Sequence, residues 1–148
     1  PNIQIPAIFL AYRTPKRNSR EARVLDMIST YLSGGKSSKL FKKLVDEKKM
    51  SLEVSAFNMS NEDYSTYVII SLPIGATKLE TLTKEISEEV DKIQTELISE
   101  KDFQKLQNQF ESSFVSSNST IEGIANSLAE YYTFYRDTVL INKELDLY

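Results

Sequence analysis

The chain has 148 residues, 41% of them hydrophobic and 26% charged, which is typical of one folded domain and not of a disordered segment. It has no cysteine and no histidine, which excludes disulfides, thiolate nucleophiles and a histidine-based zinc site within this chain. The net charge of -3 comes with interspersed lysine and glutamate, which argues against nucleic-acid binding, and no apolar run approaches the roughly 20 residues of a membrane span.

The first part of the chain predicts a strand and a helix. The apolar residues 3–14 predict a strand covered on most of both faces, with Pro6 near its start. Asn18 or Ser19 can cap the helix that follows, and the glycine pair 34–35 ends it. The apolar stripe of this helix consists of Ala22, Leu25, Met27, Ile28 and Leu32.

The middle of the chain predicts a second helix and a hairpin. Residues 37–48 predict a helix capped by Ser37 or Ser38, with Leu40, Phe41, Leu44 and Val45 buried. From Ser51 the apolar period changes to two, and a second β-branched run follows the polar segment "MSNEDYS". These two runs predict an antiparallel hairpin with a long loop.

The remaining residues predict helices. Thr77 and Glu80 have the spacing of a capping box, ahead of an apolar face that extends to Leu97. Ser99 is the predicted cap of the next helix, whose stripe is Phe103, Leu106, Phe110 and Phe114. A further helix is predicted over residues 120–135 with Ile121, Ile124, Ala125, Leu128 and Tyr132 facing inward, and "NKELDLY" begins another turn.

The order of elements predicts an α+β fold, an antiparallel sheet with helices packed mainly on one face, because strands and helices do not alternate regularly. Without a linker, a repeat or a low-complexity tract, residues 1–148 are expected to form a single domain. The chain opens at Pro1 without methionine and stops inside a helical pattern, so we expect a fragment of a longer multidomain protein.

Residues that could carry chemistry are sparse. The acids of "SEEVD" could hold magnesium or calcium, but their place on the polar side of an amphipathic helix favours ordinary solvated side chains. Ser38 and Lys42 lie one helical turn apart, and a capping serine beside a surface lysine explains them better than a catalytic pair.

Two further motifs have ordinary structural explanations. "SGGKSS" matches only the end of a phosphate-binding loop, because Thr30 stands where that pattern requires its first glycine. The aromatic cluster "YYTFYR" over residues 131–136 could form a stacking surface, although aromatic residues over two helical turns more often divide between core and rim.

Four segments carry a family resemblance: "IFLAYRTP", "EARVLDMISTYLSGGKSSKLFKKLV", "DEKKMSLEVSAFN" and "ELISEKDFQKLQNQFESSF". Through them the whole chain resembles the non-catalytic domain of the insulinase/pitrilysin-type zinc peptidases. The most specific element is the motif at residues 35–40, within which the family pattern matches Gly35, Ser37, Ser38, Lys39 and Leu40. We expect these motif residues to be structural.

The resemblance implies a division of labour between domains. In such peptidases another domain carries His-x-x-Glu-His and the zinc, so this domain is expected to hold no cofactor itself. Some members supply an arginine and a tyrosine to the substrate from a domain of this kind. Val45 and Leu52 occupy those positions here, and neither can donate a hydrogen bond to a peptide carbonyl. No catalytic residue is therefore predicted in this chain.

The expected function is that of a structural and substrate-chamber domain in a zinc-dependent endopeptidase that degrades peptides. Its partners would be the zinc-bearing domain, in the same chain or in a partner subunit, and unfolded peptides. The alternative is an interaction or assembly module derived from the peptidase fold without a proteolytic partner. An independent enzyme based on carboxylates or on a Ser–Lys pair ranks last. The compartment stays open between the cell envelope and the cytoplasm of a bacterium.

Overall fold

A computed structural model describes residues 6–148, and three of its elements form one antiparallel sheet. The strands are β1 (Ile8–Thr14), β2 (Ser51–Met59) and β3 (Ser65–Pro73), in the order β1-β3-β2. β2 and β3 form the predicted hairpin, and the register places Tyr12 and Asn58 on either side of Tyr67. Residues 3–5 of the predicted first strand lie outside the described residues.

The helices follow the predicted order. They are α1 (Arg20–Ser33), a π-helix (Phe41–Glu47), α2 (Leu79–Thr95), α3 (Glu100–Ser117) and α4 (Ile121–Tyr135), followed by short 3-10 helices at Thr138–Asn142 and Glu144–Leu147. The α+β prediction is confirmed. Ser19, Ser99 and Thr120 each accept a hydrogen bond from a first-turn amide of the helix that they precede, which confirms Ser99 and one of the two caps proposed for α1. No helix of the described residues is long and apolar enough to cross a membrane.

The core lies between one face of the sheet and the first helices. β3 contributes alternate residues, Tyr67 and Ile69 among them, because side chains along a strand point to opposite faces. The other buried apolar members of this core are Ile8, Leu32, Leu40, Leu44, Val54, Ala56, Leu82 and Ile86. We call this side of the sheet the inner face. The sheet thus packs against helices on its inner face, as expected.

The strand β1 is less covered than predicted. Ile8 is buried on the inner face, but Phe9 on the opposite face is 66% exposed and Ala11 is exposed as well. The prediction of a strand covered on both faces is wrong, because the first helices pack on the inner face alone. An apolar run predicts a strand without showing which of its faces the rest of the chain will cover.

The second helix differs in kind from the prediction. Residues 41–47 form a π-helix, in which Lys48 donates its amide to the carbonyl of Lys43. The hydroxyl of Ser38 donates to the carbonyl of Gly35 instead of capping a helix amide. Lys49 adopts a left-handed φ of 49° just after this segment, where the chain turns into β2.

The predicted boundaries of α2 are also wrong. Thr77 donates its hydroxyl to the carbonyl of Ile74 and closes a turn. The helix has no side-chain cap, so the capping box with Glu80 does not form. The helix ends at Thr95, and Leu97 beyond it is fully exposed. Thr77 fails as a cap because the helix begins at Leu79 with Lys78 as its N-cap residue, which leaves Thr77 one position too early.

The predicted inward face of α4 is not buried. Ile121 is 89% exposed, and Ile124, Ala125 and Tyr132 are exposed too, while Leu128 is half-buried. The prediction that these residues face a core is therefore wrong for the described structure. The apolar spacing indicated a helix correctly, but it carries no information about what covers that helix.

Candidate functional site

The family motif forms the junction between α1 and the π-helix. Gly35 adopts a left-handed φ of 96°, a conformation that a residue with a side chain adopts only with strain. The buried hydroxyl of Ser38 donates to the Gly35 carbonyl over 2.6 Å, which closes the turn. Leu40 is completely buried in the core. The backbone of this segment is therefore fixed by a turn and anchored by one apolar side chain.

Two polar residues of the motif connect this junction to α3. Nζ of Lys39 lies 3.4 Å from a carboxylate oxygen of Asp102, and Nζ of Lys105 donates to the hydroxyl of Ser37 over 2.6 Å. Burial opposes the charged form of Lys39, but Tyr31 and Asp102 outweigh burial and raise the pKa of its ammonium. These contacts of Lys39 and Ser37 are thus made within the domain.

The Ser38–Lys42 pair does not form a catalytic dyad. The Ser38 hydroxyl donates to a backbone carbonyl, whereas Nζ of Lys42 lies 3.8 Å from a carboxylate oxygen of Glu47. A nucleophilic serine requires a base within hydrogen-bonding reach, and the lysine ammonium is directed to another partner. The segment offers no activated nucleophile at this position.

The acidic segment of α2 forms ion pairs with the π-helix. Nζ of Lys43 lies 3.0 Å from Glu89, 3.0 Å from Glu85 and 3.3 Å from Glu88. Lys48 also pairs with Glu85, and Lys92 with Glu89. Burial would raise the pKa of Glu89, but hydrogen bonds from Lys92 and Lys43 outweigh it and lower the pKa.

These contacts correct the expectation that every acid of "SEEVD" is solvated, since Glu89 is buried. The carboxylates of Glu85 and Glu89 form ion pairs with a lysine ammonium group, which would compete with a metal cation for them. Within residues 6–148, no group of three or more Asp, Glu, His or Cys side chains converges as a metal site would require.

The two positions that the resemblance linked to substrate binding differ in environment. Val45 belongs to the π-helix and packs, half-buried, against the core. Leu52 is 58% exposed, at an irregularity in the β2 register between Ser51 and Glu53. Ser51 and Val54 on either side of the irregularity are buried, so Leu52 and Glu53 both lie on the side of the sheet away from the helices.

That side of the sheet, which we call the outer face, is largely apolar. Phe9 and Met59 are 66% and 53% exposed there. The register places the strand residues of this face in rows across the sheet. Its members are Phe9, Ala11 and Arg13 from β1, Leu52, Glu53, Ser55, Phe57 and Met59 from β2, and Thr66, Val68, Ile70 and Leu72 from β3. Isolated exposed apolar residues are ordinary, but a contiguous apolar surface marks a contact region.

A polar cavity lies where the C-terminal residues contact α1. A cavity of about 330 Å³ is lined by Asp26, Tyr131, Glu144 and Tyr148 among others. Burial raises the pKa of Asp26 to about 6, and the hydroxyl of Tyr148 donates to its carboxylate over 3.4 Å. Tyr131 of the aromatic cluster borders this cavity, whereas Tyr132 is 58% exposed, so the cluster divides between interior and surface. No sequence pattern predicts this cavity, because its residues are distant along the chain.

Comparison with known proteins places this architecture in a family. The family model described as the peptidase M16 inactive domain matches residues 1–110. Zinc protease PqqE of Helicobacter pylori is 28% identical over 129 residues, which are 87% of this chain and 29% of that protein. The chain therefore spans less than a third of this curated relative.

Solved structures agree in fold. A protease from Helicobacter pylori superposes with a TM-score of 0.87 at 26% identity, over 95% of this chain and 34% of that one. The inactive peptidase domain of a candidate zinc protease from Bordetella parapertussis superposes with a TM-score of 0.83 at 16% identity, over 95% and 74% of the respective chains. The resemblance first drawn from the motifs is confirmed: the chain belongs to the peptidase M16 inactive-domain family.

Proposed function

We propose that this chain is the non-catalytic domain of a zinc-dependent endopeptidase and forms part of the wall of a peptide chamber. The zinc would be held by a separate catalytic domain carrying His-x-x-Glu-His, in the same parent chain or in a partner subunit. That domain would supply the metal that activates water. The residues of this chain would bind and confine the substrate and keep the catalytic domain in place.

The outer face is the observation that carries this proposal. The inner face is occupied by the core, and the motif residues, the Lys43 ion pairs and the Ser38 hydroxyl are engaged in contacts within the domain. The outer face instead exposes Phe9, Leu52 and Met59 to their surroundings. An apolar wall of this kind suits unfolded peptides, whose apolar side chains are not buried in a core.

Leu52 gives a second reason to place substrate on this side of the sheet. The family resemblance aligns it with a tyrosine that contacts substrate, and Leu52 is exposed on the outer face. A leucine there can contact a peptide side chain, but it cannot stabilise an oxyanion. Specificity would then come from exclusion of folded proteins and from apolar contact with the substrate.

Domain deletion in the full-length parent tests this proposal. The parent is expected to cleave an unfolded peptide in a chelator-sensitive reaction, and deletion of residues 1–148 should abolish this cleavage while zinc binding by the catalytic domain persists. Addition of the chain in trans should restore part of the activity. If the truncated parent cleaves at the full rate, or if the intact parent binds no zinc, the chain is an assembly module instead.

A further inference from the structure

The polar cavity of about 330 Å³ beside α1 has the size of a small-molecule site. Such sites occupy roughly 300–1,000 Å³. Ser113 and Ser117 of α3 and Glu130 of α4 line the cavity and are also exposed. Because these residues connect the cavity to solvent, a small molecule can enter it while the core of the domain stays folded.

Three buried polar atoms on the lining residues have no hydrogen-bond partner within the described part of the chain. They are Nε of Arg23, Oε2 of Glu144 and Oδ1 of Asn118. Asn118 donates its Nδ2 to the carbonyl of Phe114 over 2.9 Å, which fixes the orientation of the amide and leaves Oδ1 as a free acceptor. Buried polar groups cost free energy unless they are paired, so a molecule that pairs these atoms would be bound.

Arg23 and Glu144 present opposite charges side by side. Nε of Arg23 lies 3.7 Å from Oε1 of Glu144, and both side chains are 16% exposed. This separation is longer than a hydrogen bond, so the two groups attract each other without satisfying each other. An ammonium group can donate to the carboxylate, and a carboxylate can accept from the guanidinium. An α-amino acid carries both of these groups on one carbon atom.

The other charged groups at the cavity are already compensated. Arg17 forms an ion pair with Glu130. The hydroxyl of Tyr148 donates to Asp26 over 3.4 Å, and burial raises the pKa of that carboxyl to about 6. Below this pKa the positive and negative charges of the lining are balanced, so a ligand without net charge preserves the balance.

Aromatic side chains form the apolar part of the lining. Phe110, Phe114, Tyr131, Tyr135 and Tyr148 all border the cavity. Phe110 and Tyr148 stack on each other, with 4.2 Å between their ring centroids. A further ring in the cavity would gain the same kind of contact from Phe114 and Tyr131, because aromatic pairs attract each other beyond their buried area.

We propose that this cavity binds a free aromatic α-amino acid as its zwitterion. The ammonium group pairs with Glu144 and Asn118, and the carboxylate pairs with Arg23. The ring packs beside Phe114 and Tyr131. Since Arg23 belongs to α1 and Glu144 to the C-terminal residues, the bound amino acid holds these two parts of the domain together. This small-molecule site goes beyond the proposed function and does not depend on it.

A comparison of three ligands on the full-length parent tests the proposal without any variant. The parent is treated with chelator, so that no ligand binds through zinc, and titrated by calorimetry below the pKa of Asp26. L-phenylalanine should bind saturably with a Kd at or below about 1 mM. L-phenylalaninamide lacks the carboxylate and N-acetyl-L-phenylalanine lacks the ammonium group. Each should bind at least about tenfold more weakly, because one charge-assisted hydrogen bond is lost.

The same titrations can overturn the proposal. If L-phenylalanine does not bind, the cavity holds water alone. The amide and the N-acetyl compound imitate the two ends of a peptide, so equal or tighter binding of either would show that the cavity does not require the zwitterion. Either result would overturn the proposal.

Two variants test the assigned contacts. Glu144→Gln removes the charge that pairs with the ammonium group, so the preference for L-phenylalanine over its N-acetyl derivative should fall from about tenfold to less than about threefold. Arg23→Gln should in the same way reduce the preference over the amide. Each test compares two ligands on one variant, so a change in stability affects both ligands alike.

The matched controls are Glu122→Gln on α4 and Arg20→Gln on α1, which are exposed and do not line the cavity. Both controls should retain both preferences. Retained preferences in Glu144→Gln and Arg23→Gln would overturn the proposal, and so would an equal loss in the controls.

Hydrogen exchange locates the bound amino acid on the parent. L-phenylalanine at about ten times its Kd should slow exchange in residues 144–148 and in the first turns of α1, and should leave β2 unchanged. Slower exchange confined to other parts of the parent would place the ligand elsewhere and overturn the assignment.

Discussion

Lys39 of the family motif holds Asp102 of α3, with 3.4 Å between Nζ and the nearer carboxylate oxygen. The lysine also lies over the ring of Tyr31, with Nζ 5.1 Å from the centroid. The most specific sequence element of the chain thus joins two helices to each other. The ammonium group of Lys39 is thus directed towards partners in the same domain.

The Lys39–Asp102 pair should contribute little free energy despite its place in the motif. Both side chains are more than one-third exposed, and such pairs contribute about 0.2–1 kcal/mol in double-mutant cycles. Denaturant unfolding of Lys39→Met, Asp102→Asn and the double variant should give a coupling energy in that range. A coupling above about 2 kcal/mol would show that the pair is far less screened than its exposure indicates.

Lys43 should matter much more to stability than Lys48. The Lys43 side chain is 15% exposed and faces the buried Glu89 and the partly buried Glu85, so Lys43→Met leaves each carboxylate with one lysine partner fewer. We expect a loss of about 2 kcal/mol in the free energy of unfolding. Lys48→Met, at a 41% exposed side chain, should cost less than about 1 kcal/mol. Similar losses in urea titrations of both variants would contradict this ranking.

Asp26 should make the chain less stable as pH rises. Burial raises the pKa of its carboxyl from 3.8 to about 6, although Tyr148, Arg17 and Arg23 oppose the shift and Glu144 adds to it. The folded state therefore favours the neutral acid, and this contribution is complete below pH 3.8 and lost as pH rises through about 6.

Asp26→Asn should consequently raise the free energy of unfolding at pH 7 by about 1 kcal/mol, a value reduced for solvent screening of a partly exposed group. The gain should vanish below pH 3.8. Asp63→Asn in the exposed hairpin loop is the control. A destabilised Asp26→Asn at pH 7 would show that the charged carboxylate is the form required by the fold.

Restoring the substrate-binding residues of the family should create no activity in this chain. Leu52→Tyr should change stability by less than about 0.5 kcal/mol, because the side chain is largely exposed. Val45→Arg should cost about 1.5 kcal/mol, because it places a charge against the core. Thermal unfolding measures both effects. A stable double variant that cleaves peptides would contradict the non-catalytic assignment.

The sequence predicted the secondary-structure elements better than it predicted which of their faces are buried. The caps at Ser19 and Ser99 depend on hydrogen bonds to nearby amides, and the β2–β3 hairpin depends on the two-residue period of its apolar residues. Both signals are local in the sequence. The capping box at Thr77 did not form because the helix begins at Leu79, with Lys78 in the capping position. The exposure of α4 could not be predicted, because an amphipathic pattern does not identify what covers the helix.

The candidate site was predictable only in part. Val45 and Leu52 were located by resemblance, but the half-burial of Val45 depends on packing and the exposure of Leu52 depends on the register of β2. The outer face assembles residues of three strands, and only the pairing of β1 with β3 brings Ala11 beside Val68. Long-range register of this kind is set by the whole fold.

Zinc content and peptide cleavage of the purified chain, compared with those of the full-length parent, test the central claim most directly. The chain alone should bind no stoichiometric zinc and should cleave no peptide with or without added metal, whereas the parent should do both in a chelator-sensitive manner. Chelator-sensitive cleavage by the pure chain, with one zinc bound per molecule, would contradict the account.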